Sequence, residues 1–182
     1  PAVAVTKRFH PVDIRSIGKA TIVDMGTNLT GLYKIKLTGE PGDTVRFRFG
    51  ERLYDNGTLN PMTTVAGQVK QKGRGGPGAP DIAGQTDSYV FGAEKTATWQ
   101  PQFSFHTFRY MEITGLKYLP QKEDIEALFF HSDVENQNRF TCSSPILNDI
   151  QKICRQTFLS NLITVQSDCP AREKFGYGGD LN

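Results

Sequence analysis

Apolar and polar positions alternate in short runs through the first two-thirds of the chain. Tyr33, Ile35 and Leu37 alternate with Lys34 and Lys36, and Val45, Phe47 and Phe49 alternate with Arg46 and Arg48. A period of two places one set of side chains on a buried face and the other in water, so both runs are predicted strands. Gly39-Glu40-Pro41-Gly42-Asp43 between them is a strong turn signal, and the pair is expected to form an antiparallel hairpin. Thr21 to Met25, Asp87 to Phe91, Phe108 to Thr114 and Ile125 to His131 are further strand candidates. Short strands between Gly/Pro turns predict a mainly β fold, an antiparallel β-sandwich. Lys72 to Pro80 is too rich in Gly and Pro for strand or helix. It lacks the residue order and the following helix of a phosphate-binding loop. It reads as a surface loop, with a loop leaning over a substrate site as the second reading.

The texture changes after about Asn138. Ser143 and Ser144 precede Pro145, a helix cap with Pro in the first turn. Ile146, Leu147, Ile150, Ile153, Cys154, Phe158 and Leu162 then recur at helical spacing, with Asp149, Lys152 and Arg155 opposite. A helix from about Pro145 to Leu162 is predicted, its Ile146, Ile150 and Ile153 face turned inward. Such a helix needs a partner for its apolar stripe. Either it docks on the sandwich or it belongs to a larger all-α domain, and the second is favoured. Ile163-Thr164-Val165 prefers extended structure, and the stretch from Asp168 to Asn182 is irregular and Gly-rich.

Composition narrows the function classes. Of 182 residues, 37% are hydrophobic, enough for a core. The net charge of +2 comes from Lys and Arg spread along the chain, which argues against a nucleic-acid surface. No apolar run approaches the roughly 20 residues of a membrane-spanning helix, so no membrane partner is expected. Pro1-Ala2-Val3-Ala4-Val5 is too short for a signal-peptide core, and the chain is expected to begin inside a longer sequence, where a signal could lie upstream. Cys142, Cys154 and Cys169 include no CxxC pair and read as free, buried or half-buried thiols, with no metal site implied. Asn28-Leu29-Thr30 and Asn56-Gly57-Thr58 are sequons that matter only in a eukaryotic secretory route.

The segment richest in chemistry runs from Ser167 to Asp180. It holds three carboxylates (Asp168, Glu173, Asp180), Arg172 and the ring of Tyr177, on a backbone loosened by glycine. Carboxylates and Arg bind vicinal sugar hydroxyls in paired hydrogen bonds. An aromatic ring packs on the apolar face of a pyranose, and paired carboxyl groups hydrolyse a glycosidic bond. The order of residues resembles the signature of the α-L-rhamnosidase family, approximately Asp-Cys-Pro-x-Arg-Asp-Glu-Arg-x-Gly-Trp-x-Gly-Asp. Asp168, Cys169, Pro170, Arg172, Glu173, Gly176, Gly179 and Asp180 fall in place when the Asp before the motif Glu is taken as deleted. Tyr177 stands where many members have Trp. Asp24 to Gly31 resembles the family's Asp-x-Gly-x-Asn-x-x-Gly segment, and Trp99 to Tyr110 resembles Trp-x-Pro-x-Phe-x-x-His-x-Phe-Arg-Tyr. His131-Ser132-Asp133 and Phe140-Thr141-Cys142-Ser143 also match in order.

The resemblance implies a β-sandwich followed by a six-hairpin α/α barrel, and hydrolysis of α-L-rhamnosides with inversion and without a cofactor. The expected domains are a linker over residues 1–18, a β-sandwich over 19–134 and the truncated start of the α/α-barrel catalytic domain over 135–182. Residue by residue, it implies Glu173 as general acid, with Asp168, Arg172 and Asp180 on the rhamnose hydroxyls and Tyr177 against the ring. Arg172 could equally order the loop by pairing with Glu173 or Asp180. His106 and His131 are expected to be structural, and Glu51 and Asp133 structural or on the surface. The expected partner is a rhamnose-containing glycan or glycoside, acting outside the cytoplasm if it is a polymer, and therefore extracellular or periplasmic. The general base and the rest of the barrel are expected downstream of this chain, leaving the fragment alone inactive. A non-catalytic carbohydrate-binding sandwich and a structural fragment of a rhamnosidase-like protein are the rival readings, and the length of the full reading frame discriminates among them.

Overall fold

The structure, a computed structural model, describes residues 1–65, 84–135 and 138–176. The Lys72 to Pro80 loop lies outside them. Eight strands form one antiparallel sheet: β1 (Val3–Phe9), β2 (Asp13–Ile17), β3 (Ala20–Thr38), β4 (Thr44–Gly50), β7 (Thr86–Val90), β8 (Thr96–Trp99), β9 (His106–Thr114) and β10 (Ile125–Ser132). Two short strands, β5 (Arg52–Leu53) and β6 (Leu59–Asn60), pair separately.

The sheet curls on itself because β3, 19 residues long, belongs to both halves. Its first part, Ala20 to Asp24, pairs with β2 on one side and β9 on the other, and β9 continues to β4 and β7. Its last part, Gly31 to Thr38, pairs with β10 and β8, and β10 continues to β1. The change of direction falls at a break in register. Between the pairs Asp24–Tyr110 and Leu29–Phe108, four residues of β3 face one residue of β9, Arg109. Gly26 takes a positive φ of 76° in this bulge, a conformation that costs a residue with a Cβ. Asp24 locks it, accepting from the Gly26 N–H at 2.7 Å and from Arg109 Nε and Nη2 at 2.9 Å each.

Between the halves lies an aromatic core. Tyr33 on the last part of β3 meets Phe47 and Phe49 of β4 with ring centroids 5.1 and 5.2 Å apart, and Trp99 stacks on Phe47 at 5.3 Å. Tyr33, Phe47, Phe49, Phe108 and Phe129 are all fully buried. This is a sandwich-like architecture made from one sheet.

Two expectations about the strands differ from what the structure shows. The predicted hairpin does not form: the run of Tyr33 to Leu37 pairs with β10 and β8, whereas β4 pairs with β9 and β7. The turn is real, with Asp43 donating from its N–H to the Glu40 carbonyl at 2.9 Å and Gly42 at φ 87°. It carries the chain across the core to the facing half. Residues 1–18, expected as a linker, contain β1 and β2, whose backbones complete the ladders beside β10 and β3. Both are edge strands and mostly exposed.

One α-helix lies among the described residues, α1 (Pro145–Asn161). Ser144 occupies its cap position without a side-chain bond to the helix. The Asn148 amide holds the start instead, accepting from the Cys142 N–H at 3.0 Å and donating to the Cys142 carbonyl at 2.8 Å. The expected inward face is turned to solvent: Ile146, Ile150 and Ile153 keep 71%, 50% and 65% of their surface exposed. Only the last turn is anchored, with Leu159 against the core and Ser160 and Asn161 buried. The stripe has no partner among the described residues, so its periodicity shows the need for one without supplying it. After α1, the strands β11 (Leu162–Ile163) and β12 (Val165–Gln166) fold back on each other about Thr164, at φ 66°.

Candidate functional site

The segment after β12 is built as a closed loop. Asp168 N–H donates to the Phe175 carbonyl at 2.8 Å, and Lys174 N–H donates to the Cys169 carbonyl at 3.1 Å. The Asp168 side chain ties the two ends, its Oδ1 accepting from the Phe175 N–H at 3.0 Å and its Oδ2 from the Cys169 thiol at 3.2 Å. The same sulfur accepts from the Glu173 N–H at 3.2 Å. The carboxyl of Asp168 is pushed up by partial desolvation and pulled down further by the Cys169 thiol and the Cys169 and Phe175 N–H groups, so its pKa falls below the usual value.

Of the predicted site residues, Asp168, Arg172 and Glu173 therefore share this one loop, while Tyr177 and Asp180 lie outside the described residues. Arg172 and Glu173 are both exposed. No ion pair joins them, and neither side chain has a hydrogen-bond partner among the described residues. Two neighbouring opposite charges thus stand apart on a loop whose backbone is fastened. Asp168, by contrast, already uses both carboxylate oxygens to tie the loop together.

Two contacts press the loop onto the sandwich. The Gln85 side-chain amide donates to the carbonyl of Ala171 at 2.7 Å, and Ala171 is buried to 3% exposure. Lys174 donates to the carbonyl of Phe105 at 3.2 Å, with its ammonium 3.9 Å from the centre of the Phe105 ring. Although Lys174 as a residue is exposed, water lost around its ammonium lowers the pKa. At the other end, Ser167 donates from its N–H to the Asn161 carbonyl at 3.0 Å and from its hydroxyl to Asn161 Oδ1 at 3.0 Å, and Thr164 N–H donates to Ser132 Oγ at 2.9 Å.

The histidines are held structurally. His131 Nδ1 donates to the Ser132 carbonyl at 2.7 Å, and its Nε2 shares a hydrogen bond with the Thr6 hydroxyl at 3.0 Å. His106 is buried with both nitrogens bonded, to Asp87 and Gln85. Glu51 accepts from the Asn28 amide at 2.9 Å. A groove between α1 and the sandwich is lined by Asn28, Glu51, His131, Lys152, Gln156 and Pro170 among others, and neither Arg172 nor Glu173 lines it. Cys142 and Cys169 are half-buried thiols, but Cys154 is exposed on α1 rather than buried. Gln85 is the residue that sequence reasoning passed over. A lone Gln before a strand carries no pattern, and only the fold brings it to a carbonyl 86 positions away.

A curled antiparallel sandwich that hands over to a helix and a charged, fastened loop defines a class of two-part chain, and comparison with known proteins identifies which one. Residues 14–131 match the model of the bacterial alpha-L-rhamnosidase concanavalin-like domain, and residues 135–182 match that of the bacterial alpha-L-rhamnosidase 6 hairpin glycosidase domain. The chain belongs to the bacterial α-L-rhamnosidase family. An alpha-L-rhamnosidase of Formosa agariphila is 29% identical over 184 residues, covering 100% of this chain and 18% of its own length. The structure of alpha-L-rhamnosidase from Dictyoglumus thermophilum superposes with a TM-score of 0.83 at 33% identity, over 100% of this chain and 19% of that one. The Streptomyces avermitilis alpha-L-rhamnosidase complexed with L-rhamnose gives 0.82 at 25% identity, over 98% of this chain and 16% of that one. The chain thus spans less than a fifth of the length of these relatives.

Proposed function

We propose that the protein carrying this chain releases terminal α-L-rhamnose from glycosides or polysaccharides by an inverting acid/base mechanism, and that this chain supplies one edge of the site. The observation that carries the reading is the loop from Asp168 to Phe175: its two ends are tied together, and Arg172 and Glu173 stand exposed on it with no side-chain partner among the described residues. Relatives named alpha-L-rhamnosidase support the substrate class.

In this reading Glu173 donates its proton to the glycosidic oxygen as the bond to the sugar breaks. Arg172, Asp168 and Asp180 hold hydroxyls, and Tyr177 covers the apolar face. Inversion requires a second carboxylate about 6.5–9.5 Å from the acid to activate water on the opposite side. That base belongs to the part of the barrel beyond this chain, so these 182 residues alone are expected not to turn over an aryl rhamnoside. A substrate that is a polymer would place the protein outside the cytoplasm.

The test is Glu173→Gln in the full-length protein, which keeps shape and removes the acid. Turnover of natural rhamnosides, whose leaving groups need protonation, is expected to fall by about 10²–10⁴-fold. Activated aryl rhamnosides should lose much less, and rhamnose binding should survive. Hydrolysis of natural rhamnosides within a few-fold of wild type would end the assignment and turn attention to Asp168 or Asp180.

A further inference from the structure

The contact between Gln85 and Ala171 is the outer end of a part-buried chain of hydrogen bonds. Gln85 Nε2 donates to the Ala171 carbonyl at 2.7 Å. This fixes the amide, because the flipped orientation would set two carbonyl oxygens face to face. Its Oε1 therefore faces His106 Nδ1 at 2.7 Å, which must donate. His106 Nε2 faces Asp87 Oδ2 at 2.8 Å. Both ring nitrogens of His106 are thus engaged in hydrogen bonds. Asp87 in turn accepts from Ser104 Oγ at 3.0 Å and Tyr33 OH at 3.2 Å. Burial pushes the Asp87 carboxyl up, but the hydrogen bond and charge of His106, with Ser104 and Tyr33, outweigh it and hold the pKa below the usual value.

Two further contacts hold the chain in place. Phe49 stacks on His106 with ring centroids 4.1 Å apart and planes within 11°, and Phe49 N–H donates to the Gln85 carbonyl at 3.1 Å. The backbone of Gln85 is consequently pinned to β4.

We propose that Gln85 is a positioning residue for the Asp168 to Gly176 loop: backed by His106 and Asp87, it fixes the Ala171 carbonyl and so the backbone from which Arg172 and Glu173 project. The role rests on the rhamnosidase reading for its catalytic meaning, but the tether itself does not. Group placement is steep in its effect, and a shift of about 1 Å can cost on the order of 10²-fold.

The experiment is Gln85→Glu in the full-length protein. A carboxylate still accepts from His106 Nδ1 but opposes the Ala171 carbonyl with a second acceptor, so only the outer link is cut. Cys169 reports on the loop directly, since its thiol bridges Asp168 and Glu173. Site-resolved alkylation by iodoacetamide, read by mass spectrometry, should speed up by about tenfold or more at Cys169 and stay unchanged at Cys142, and KM for an aryl rhamnoside should rise by about tenfold. A loss of stability alone would lower the active fraction and leave KM where it was. Gln85→Met, which keeps chain length and removes both polar groups, is a second variant read by the same criteria. Unchanged Cys169 labelling overturns the proposal, as does faster labelling of all three cysteines together, or faster Cys169 labelling with an unchanged KM. If Cys169 is released but the wild-type protein shows no rhamnoside turnover, the tether stands and the rhamnosidase reading falls.

Discussion

Gly31 sits where β3 runs between two neighbours, paired with His106 of β9 and Phe129 of β10. A Cβ there would lie 2.0 Å from the Leu128 carbonyl oxygen, a backbone atom held in the β10 ladder. Gly31→Ala must therefore push two strands apart, and a loss of about 3 kcal/mol or more is expected in urea unfolding of this chain. Gly18→Ala is the contrast: φ is 60° but nothing lies within 4 Å of the added carbon, so only the backbone penalty of about 1 kcal/mol applies. Equal losses at the two positions would show that the strand contact is softer than described. The same scale explains the sequence motif around Asp24. Asp24, Gly26 and Arg109 could be picked out from the sequence as matching residues, but their task, locking a bulge that turns one strand into two layers, depends on an ion pair across 85 positions. The acidic and basic residues of the Asp168 loop were legible by type and order; Gln85 was not, since nothing local distinguishes it from any surface Gln.

At the scale of elements, periodicity identified faces and not partners. Tyr33 to Leu37 and Val45 to Phe49 bury alternate residues whether they hydrogen-bond to each other or face each other across a core, so the hairpin and the observed crossing share one pattern. β1 and β2 were illegible because they contribute mainly hydrogen bonds; Val3 and Val5 remain 40% and 44% exposed, and Phe9 and Ile14 pack only in part against the core. The helix was legible to within a residue, while the burial of its stripe was not, since burial depends on what stands opposite. Substitution separates these cases. Ile150→Gln in the 182-residue chain is expected to change stability by less than about 0.5 kcal/mol, because half of Ile150 already meets water. Phe47→Ala, in the fully buried cluster, is expected to cost about 3–5 kcal/mol. Both are read from denaturant midpoints, and a large loss for Ile150→Gln would mean that the stripe is covered in solution.

Across the whole molecule, acid sensitivity follows from where its carboxylates are held. Asp24 is bonded by Arg109 and Gly26, Asp87 by His106, Ser104 and Tyr33, and both have pKa values lowered despite the upward push of burial. A carboxyl whose folded pKa lies below its unfolded value, about 3.9 for Asp, stabilises the fold at every pH above that unfolded value. The contribution is lost as the pH falls from there through the depressed folded value. The transition temperature should therefore be steady near neutrality and drop steeply below about pH 4. The two sites differ in weight: Arg109 is 40% exposed, so solvent screens its pair with Asp24, whereas the side chains of His106 and Asp87 are 6% and 12% exposed. Asp87→Asn leaves His106 facing a neutral amide and is expected to cost about 2–4 kcal/mol at pH 7, or roughly 5–15 °C in Tm for a chain of this size. Part of the acid dependence should disappear with it, because the group that titrates is gone. Thermal melts of the two proteins at pH 7 and pH 3 make the comparison: the gap between them should narrow on acidification. A constant gap would show that Asp87 is not the carboxylate whose protonation loosens the core.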